Sequence, residues 1–375
     1  MRSPTILAAG AAVVLGVAAC GGEAPPPQPP PSLPMPTASA AAAAPTTAPP
    51  PPAKPPLSEL IPQTLKGIGD AFNAHDARKM AGYYADDAAV YTYGGGETHS
   101  RGDLQNSIAQ LFAAFGDAKS APDRIWIKSN VAIVELTWTG SMTGDFMAMK
   151  ATNKQAGEMR LHVMWFDDDG LVKEVHQYGD SAGMMSQIAG KKGAAPVPML
   201  RTNPPEVHVA QGTADEDKLA DWAKATDDAF NKDDAKSVIG TMAEDADYWL
   251  NFSGQPAMKG KRELMAGLAA WFKAFPDQKW TVTNAWGIDG YGIVEHAMSG
   301  TQKGPLGPIP ASNKPVTAWH WVDIMQPAAD GKVQHGWGYA NLFELMAQTG
   351  ASKKAGAKPA AAAAPKDTAK VAPKK

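Results

Sequence analysis

Histidine and carboxylate residues cluster in three segments that read as strands in the first half of the chain. His176 and Asp180 have the same parity in the last of these segments, so an extended strand places both on one face. His162 lies in the preceding segment, and Glu135 lies in an earlier one between two apolar residues. If the polar strand faces look inwards, Asp180, His176, His162 and Glu135 converge on one cavity.

Such a set can move a proton. A carboxylate in an apolar cavity has a raised pKa and histidine titrates near neutral pH, so acid–base chemistry next to a carbonyl is expected, with Asp180 as the proton carrier. Each residue also has a structural interpretation. Asp180 could cap a following helix, the histidines could be structural or surface residues, and Glu135 could form a hydrogen bond within the fold.

Aromatic residues are more frequent in the second half of the chain, and an aromatic-lined pocket for a ring-bearing or apolar molecule is one interpretation. Packing in a core, or at an interface between domains or subunits, is the alternative. Alternation along a strand places Trp319 and Trp321 on one face and His320 on the other. The residues predicted to line a ligand pocket are Tyr91, Trp138, Tyr178, Trp249, Glu295, Trp319, Trp321, His335, Trp337 and Tyr339.

Several classes of site have no signature in the sequence. No His-x-x-x-His pair lies on a predicted helix and the chain has a single cysteine, so we predict no metal site. Phosphate-cradling Gly-rich loops and nucleophile-elbow serines are absent from the sequence, and we predict no cofactor. The net charge of -3 and the lack of a basic stripe argue against nucleic acid as a partner.

The chain contains an internal repeat. Glu135 and Glu295 are 160 residues apart, and the segments Asp70–Asn73 and Asp228–Asn231 repeat with an offset of 158. Tyr178 and Tyr339 repeat with an offset of 161. Because the offset changes by only three residues along the repeat, we interpret the chain as a duplicated domain.

Each copy begins with helical periodicity and continues with strand-like segments, an order that favours an α+β fold. We predict domain 1 at residues 57–190, a Pro- and Gly-rich linker at 191–214 and domain 2 at 215–350. We also expect the two domains to pair with each other through their sheets.

The two ends of the chain have biased compositions. Residues 1–19 are predicted to be a lipoprotein signal peptide, because a positive start and a short apolar run lead into Val17-Ala18-Ala19-Cys20, a pattern that resembles the bacterial lipobox. Acylation of Cys20, followed by Gly21 rather than Asp, implies an outer-membrane lipoprotein that faces the periplasm or the cell surface. The Pro-rich segment at 20–56 is expected to be an extended spacer, and the Lys/Ala/Pro tail at 351–375 is expected to be disordered.

The repeated motifs carry a family resemblance. Gly140-Ser-Met-Thr-Gly144, with Asn153-Lys154, and Gly300-Thr-Gln-Lys-Gly304, with Asn313-Lys314, resemble the Gly-Thr-His-x-Gly…Gly-Lys stretch of SnoaL-like polyketide cyclases and ester cyclases. The resemblance implies two nuclear-transport-factor-2-like cones, each a curved antiparallel sheet wrapped around N-terminal helices. The His of the family motif is replaced by Met142 and Gln302.

The acid–base Asp of the family corresponds to Asp180 in the first copy, whereas Asn341 occupies this place in the second copy. Three functions therefore stay open. The first is binding of a small apolar or aromatic molecule in the cell envelope. The second is cofactor-independent acid–base catalysis (isomerase, cyclase or hydrolase type) in domain 1, and the third is a structural or interaction role without a specific ligand.

Overall fold

The computed structural model describes residues 54–252, 254–307 and 309–351. The predicted signal peptide, Cys20, the Pro-rich spacer up to residue 53 and the tail from residue 352 lie outside the described residues.

Helices precede strands in both halves of the described chain, as the periodicity predicts. The helices are α1 (Leu57–Asn73), α2 (Ala77–Ala81), α3 (Arg101–Ala114), α4 (Ser181–Ile188), α5 (Ala214–Phe230), α6 (Ala235–Gly240), α7 (Gly260–Ala274) and α8 (Leu342–Thr349). The strands of the first half are β1 (Tyr84–Thr92), β2 (Gly96–Thr98), β3 (Lys119–Lys128), β4 (Val131–Ser141), β5 (Gln155–Phe166) and β6 (Val172–Gly179). The later strands are β7 (Glu206–Val209), β8 (Met242–Leu250), β9 (Met258–Lys259), β10 (Lys279–Ile288), β11 (Tyr291–Thr301), β12 (Pro315–Pro327) and β13 (Val333–Ala340).

Each domain has one sheet. The strand order is β2-β1-β6-β5-β4-β3-β7 in the first sheet and β10-β11-β12-β13-β8-β9 in the second. The predicted α+β class with two tandem domains is confirmed. The sheets are mixed rather than purely antiparallel, because β1 runs parallel to β6 and β8 runs parallel to β13.

The segment predicted as a linker contains a strand. β7 pairs in parallel with β3, so part of this segment extends the sheet of domain 1. This strand could not be predicted, since four residues between Pro- and Gly-rich stretches are too short for a periodic pattern.

One face of each sheet packs against the helices of its own domain, and we call it the inner face. In domain 1 it includes Ile125, Val134 and Met164, which pack with Ile61 of α1 and Ile108 of α3. In domain 2 the inner face packs in the same way on α5 and α7. The opposite face of each sheet is called the outer face.

The residues that repeat in the two copies have structural reasons. A Cβ atom on Gly144 would lie 2.2 Å from the carbonyl oxygen of Ala113, and one on Gly304 would lie 2.6 Å from that of Lys273. Only glycine allows the loop to approach the end of the helix this closely. Asn153 and Asn313 both adopt left-handed backbone conformations, with φ of 55° and 56°, which asparagine tolerates better than most residues.

The outer faces contribute to one shared cluster of buried apolar side chains. From domain 1 it contains Trp126, Val131, Ile133, Leu161, Val163 and Tyr178, and from domain 2 it contains Trp286, Ile288, Tyr291, Ile293, Val322, Ile324 and Tyr339. Removing such side chains from water contributes about 1.5–3 kcal/mol each.

Two hydrogen bonds cross between the outer faces in a reciprocal manner. The Tyr339 hydroxyl donates to Glu135 Oε1 at 2.6 Å, and the Tyr178 hydroxyl donates to Glu295 Oε1 at 2.6 Å. These four residues are the two copies of one repeated Glu–Tyr pair, and each glutamate is satisfied by the tyrosine of the other domain. Glu135 also forms an ion pair with Arg124, and Glu295 accepts from Asn284 Nδ2 at 2.6 Å.

The substitution Tyr339→Phe is expected to lower the free energy of unfolding by about 1–3 kcal/mol, because it leaves the buried Glu135 without one donor. Tyr178→Phe is expected to act in the same direction through Glu295. Urea unfolding of the full chain measures both effects, with the half-buried Tyr91→Phe as control. Variants at Tyr339 and Tyr178 that unfold at the same urea concentration as the unsubstituted chain would contradict this role.

Candidate functional site

The predicted convergence of Asp180, His176, His162 and Glu135 on one cavity is wrong. Glu135 pairs across the sheet with Leu161 and His176 pairs with Val163, which places both on the outer face. His162 pairs with Val134 and lies on the inner face. The polar residues of these strands therefore do not share a face of the sheet. Alternation shows which residues of one strand point the same way, but it does not show which of the two sets in each strand faces the helices.

Asp180 is the N-cap of α4. Its Oδ1 accepts a hydrogen bond from the backbone N–H of Gly183 at 2.9 Å. Burial raises the pKa of Asp180 to about 7, and the charge of Glu158 acts in the same direction while the Gly183 bond opposes it. Asn341 caps α8 in the same way, through the N–H of Phe343 at 3.0 Å. The repeated position is thus a helix cap in both domains.

His176 belongs to the contact between the outer faces. Its Nδ1 lies 2.6 Å from Glu295 Oε1 and its Nε2 lies 2.9 Å from Glu174 Oε1. Burial alone lowers the pKa of His176, but the hydrogen bonds and charges of the two glutamates outweigh burial and raise the pKa to about 9. At neutral pH the imidazolium compensates the buried charge of Glu295.

His162 is half-buried on the inner face of domain 1, where its Nε2 atom is buried and has no hydrogen-bond partner among the described residues. Burial lowers the pKa of His162 to about 3, and the charge of Arg160 adds to this effect. The side chain is therefore neutral at physiological pH.

The residues predicted to line a pocket are dispersed. Tyr178, Tyr339, Trp249 and Trp337 belong to the cluster between the outer faces, and Glu295 accepts hydrogen bonds there. Three other members of the predicted set lie elsewhere. Trp138 donates a hydrogen bond to Glu158, and the ring of Tyr91 lies 5.4 Å from that of His176. His335 contacts Asp247.

Trp319 and Trp321 share a strand face, as alternation predicts, and their ring centroids lie 4.8 Å apart. Trp319 is fully buried in the core of domain 2, where its Nε1 donates to the carbonyl oxygen of Asn341. Trp321 lines a cavity, and it is the only residue of the predicted pocket set that does so for this cavity.

The cavity lies on the inner face of domain 2 and has a volume of about 180 Å³. Aromatic and aliphatic side chains from α5, α7 and four strands form most of its wall. The described lining residues are Phe230, Met242, Tyr248, Leu250, Phe252, Met258, Leu264, Gly267, Leu268, Ala270, Trp271, Trp280, Leu306, Trp321 and Asp323. Asp323 is the one acidic side chain in this set, which contains no lysine, arginine or histidine.

Asp323 belongs to a buried Asp–His–Asp arrangement. His296 Nδ1 lies 2.8 and 2.9 Å from the two carboxylate oxygens of Asp227, which comes from α5. His296 Nε2 lies 3.2 Å from Asp323 Oδ2, an ion-pair contact without hydrogen-bond alignment. Asp227, His296 and Asp323 are 3%, 2% and 8% exposed.

The two carboxylates determine the protonation of the imidazole. Burial alone lowers the pKa of His296, but the hydrogen bonds to Asp227 and the close contact and charges of Asp227 and Asp323 outweigh burial and raise the pKa to about 9. Burial, with the nearby charge of Asp323, raises the pKa of the Tyr248 phenol well above its usual range. At neutral pH the cavity therefore has a neutral phenol and a carboxylate beside an imidazolium.

Domain 1 does not repeat this arrangement. The strand registers align His296 with Leu136 and Asp323 with His162, and the repeat offset aligns Asp227 with Gly69. A carboxylate that is held by an imidazolium at an apolar cavity can accept or donate a proton, or can pair with a polar ligand group. This capacity belongs to domain 2.

Sequence reasoning missed Asp227, Tyr248 and Asp323. A usable signal was present, since Asp323 interrupts an apolar strand at a position where both neighbours are buried, and a charged residue there needs a partner. The partner on α5 could not be identified, because a helix–strand contact over 96 residues leaves no local pattern.

Metal sites and membrane-spanning helices are both absent from the part of the chain that the structure describes. None of its groups of histidine, cysteine and carboxylate residues is arranged to hold a metal ion. No helix within it is long and apolar enough to cross a membrane.

A sequence model described as SnoaL-like polyketide cyclase matches residues 63–188 and 220–349. A search of curated proteins finds no match.

Solved structures resemble single domains of the chain. One, described as a SnoaL-like polyketide cyclase from Jannaschia sp. CCS1, is 13% identical, with a TM-score of 0.34 over 38% of this chain and 99% of that one. TsrD from Streptomyces laurentii is 15% identical, with a TM-score of 0.32 over 35% and 95% of the two chains. An LEH-like epoxide hydrolase from M. tuberculosis is 14% identical, with a TM-score of 0.30 over 36% and 91%.

Proposed function

Because the chain belongs to the SnoaL-like polyketide cyclase family through both of its domains, we propose that domain 2 binds a small, ring-sized molecule in the cavity that Asp323 lines. The family match confirms the resemblance drawn from the sequence motifs. The observation that carries the proposal is an aromatic-walled cavity with a single carboxylate at its edge. Ligand pockets typically combine apolar walls with a few placed polar groups.

The cavity volume limits the size of the ligand. An apolar protein cavity of about 150 Å³ accommodates benzene. A cavity of about 180 Å³ therefore accommodates one ring with a small substituent, whereas a fused multi-ring molecule would require the walls to move. Three indoles, of Trp271, Trp280 and Trp321, provide flat surfaces for stacking against such a ring.

Leu268→Trp is expected to weaken the binding of phenol to the full chain at least tenfold, because the larger side chain fills part of the cavity. Isothermal titration calorimetry measures the affinity. The matched control is Ile108→Trp, the corresponding position on α3 of domain 1, which is expected to leave phenol binding unchanged. Circular dichroism checks that both variants fold, since overpacking costs about 1–3 kcal/mol. Equal phenol affinity in Leu268→Trp and the unsubstituted chain would refute this location.

Acid–base catalysis in the same cavity is a second candidate function. It is favoured by the contact of Asp323 with the His296 imidazolium, which fixes a carboxylate next to apolar walls without any cofactor. Asp323 would remove a proton from carbon next to a carbonyl. This places the predicted cofactor-independent chemistry in domain 2 rather than at Asp180 in domain 1.

Deuterium exchange at the α-carbon of cyclohexanone in D₂O tests the catalytic candidate. The full chain is expected to accelerate exchange and Asp323→Asn to lower the rate about 100-fold, in line with the usual contribution of a general base. An exchange rate equal to that of buffer would exclude proton transfer on this probe. The control is Asp228→Asn, which changes an exposed neighbour of Asp227 on α5.

The proposed setting is the cell envelope. Cys20 and its preceding apolar run support an outer-membrane lipoprotein that faces the periplasm or the cell surface. Labelled palmitate is expected in the full chain and not in a Cys20→Ala variant when both are expressed in bacteria.

We also propose that the two domains pair with each other through their sheets, as two subunits of a dimer would. The shared apolar cluster and the reciprocal Tyr–Glu hydrogen bonds support this proposal.

A further inference from the structure

We propose that the ligand of domain 2 is a small organic ammonium ion, held between the indoles of the cavity and the carboxylate of Asp323. This inference rests on the proposed function, since it names the chemical class of the molecule in that cavity. It follows from three features: the charge of the buried arrangement, the aromatic walls and the incomplete pairing of Asp323.

The buried arrangement has more acidic than basic side chains. Two aspartates, Asp227 and Asp323, contact a single histidine, so one carboxyl group is left without a basic partner of its own. A buried charge without a counterion is costly, and proteins usually supply an opposite charge. None of the described residues that line the cavity is a lysine or an arginine. A cationic ligand would provide the missing charge.

The walls of the cavity suit a cation. The π faces of indole and phenol rings carry negative electrostatic potential, and cages of aromatic rings recognise alkylated ammonium groups. Trp271, Trp280 and Trp321 contact one another in the wall of the cavity, with centroid separations of 6.0 Å between Trp271 and Trp280 and 5.6 Å between Trp280 and Trp321. Trp271 and Trp321 meet edge to face at 88°, so this part of the wall is built from indoles in two orientations.

Asp323 has capacity for a further donor. Its Oδ1 is buried and accepts no hydrogen bond within the described residues, and its Oδ2 contacts His296 without hydrogen-bond alignment. An unsatisfied carboxylate oxygen is costly in a buried site, so a ligand N–H that reaches this carboxylate would gain affinity.

Domain 1 provides a natural contrast. The registers align Trp321 with Arg160 and Asp323 with His162. Domain 1 therefore has a cation where domain 2 has an indole, and a neutral imidazole where domain 2 has a carboxylate. The inference applies to domain 2 alone.

Binding of matched probes to the full chain at pH 7 tests the inference. Benzylammonium and benzyl alcohol have nearly the same shape and differ in charge. Calorimetry is expected to give a Kd for benzylammonium at least tenfold below that for benzyl alcohol. Asp323→Asn, which keeps the shape of the side chain, is expected to reduce this preference to within about twofold, whereas Asp228→Asn keeps it.

The outcomes separate the two proposals. If benzyl alcohol binds as tightly as benzylammonium, the cation inference is wrong and the proposed binding function stands. If neither probe binds, both proposals fail. A tenfold preference that persists in Asp323→Asn would also overturn the inference, because the attraction would then come from another part of the chain. The ratio in the unsubstituted chain decides the question even if Asp323→Asn does not fold.

Discussion

Two reciprocal hydrogen bonds, Tyr339 to Glu135 and Tyr178 to Glu295, determine what each sheet face is used for. A glutamate in the middle of an apolar strand must have its oxygens satisfied when it is buried. Here each glutamate accepts a hydrogen bond from the tyrosine of the other domain, in addition to contacts with partners such as Arg124 and Asn284. Because the outer faces are buried against each other, a ligand inside the protein has to bind on an inner face.

The two domains have kept the same scaffold and have diverged in their inner faces. The glycine and asparagine residues of the repeated loop are retained because close approach and left-handed backbone require them. Positions that face the cavity are free of such constraints, and they differ in charge and size between the copies. Domain 1 buries a neutral His162, whereas domain 2 buries an imidazolium between two aspartates. Domain 1 therefore has the aspartate that resembles the acidic residue of the family, whereas domain 2 has the cavity with the buried aspartates and histidine.

The fold could be predicted well from the sequence, because repeat offsets, strand alternation and the family motifs all depend on local spacing. Helices precede strands in both domains, as predicted, and both domains match the family. The parallel strand pairs and β7 could not be predicted, since pairing between distant or very short segments leaves no local pattern.

The site was harder to predict. Asp180 was the strongest candidate by resemblance, yet it caps a helix, and the same position in domain 2 shows why an asparagine can replace it. His176 and Glu135 look like catalytic residues because they are polar groups in apolar strands, but a second domain satisfies them. Asp227 and Asp323 could be identified only from the fold, which places α5 next to β11 and pairs β11 with β12.

The most direct test of this account is the protonation state of His296 in the full chain. Long-range ¹H–¹⁵N correlation spectra of ¹⁵N-histidine-labelled protein report both ring nitrogens, and His296→Gln and His176→Gln variants assign the two signals with raised pKa. The account predicts that both nitrogens of His296 carry protons at pH 7 and that the ring titrates near pH 9. A neutral His296 ring at pH 7 would contradict the charged cavity on which the proposed ligand class depends.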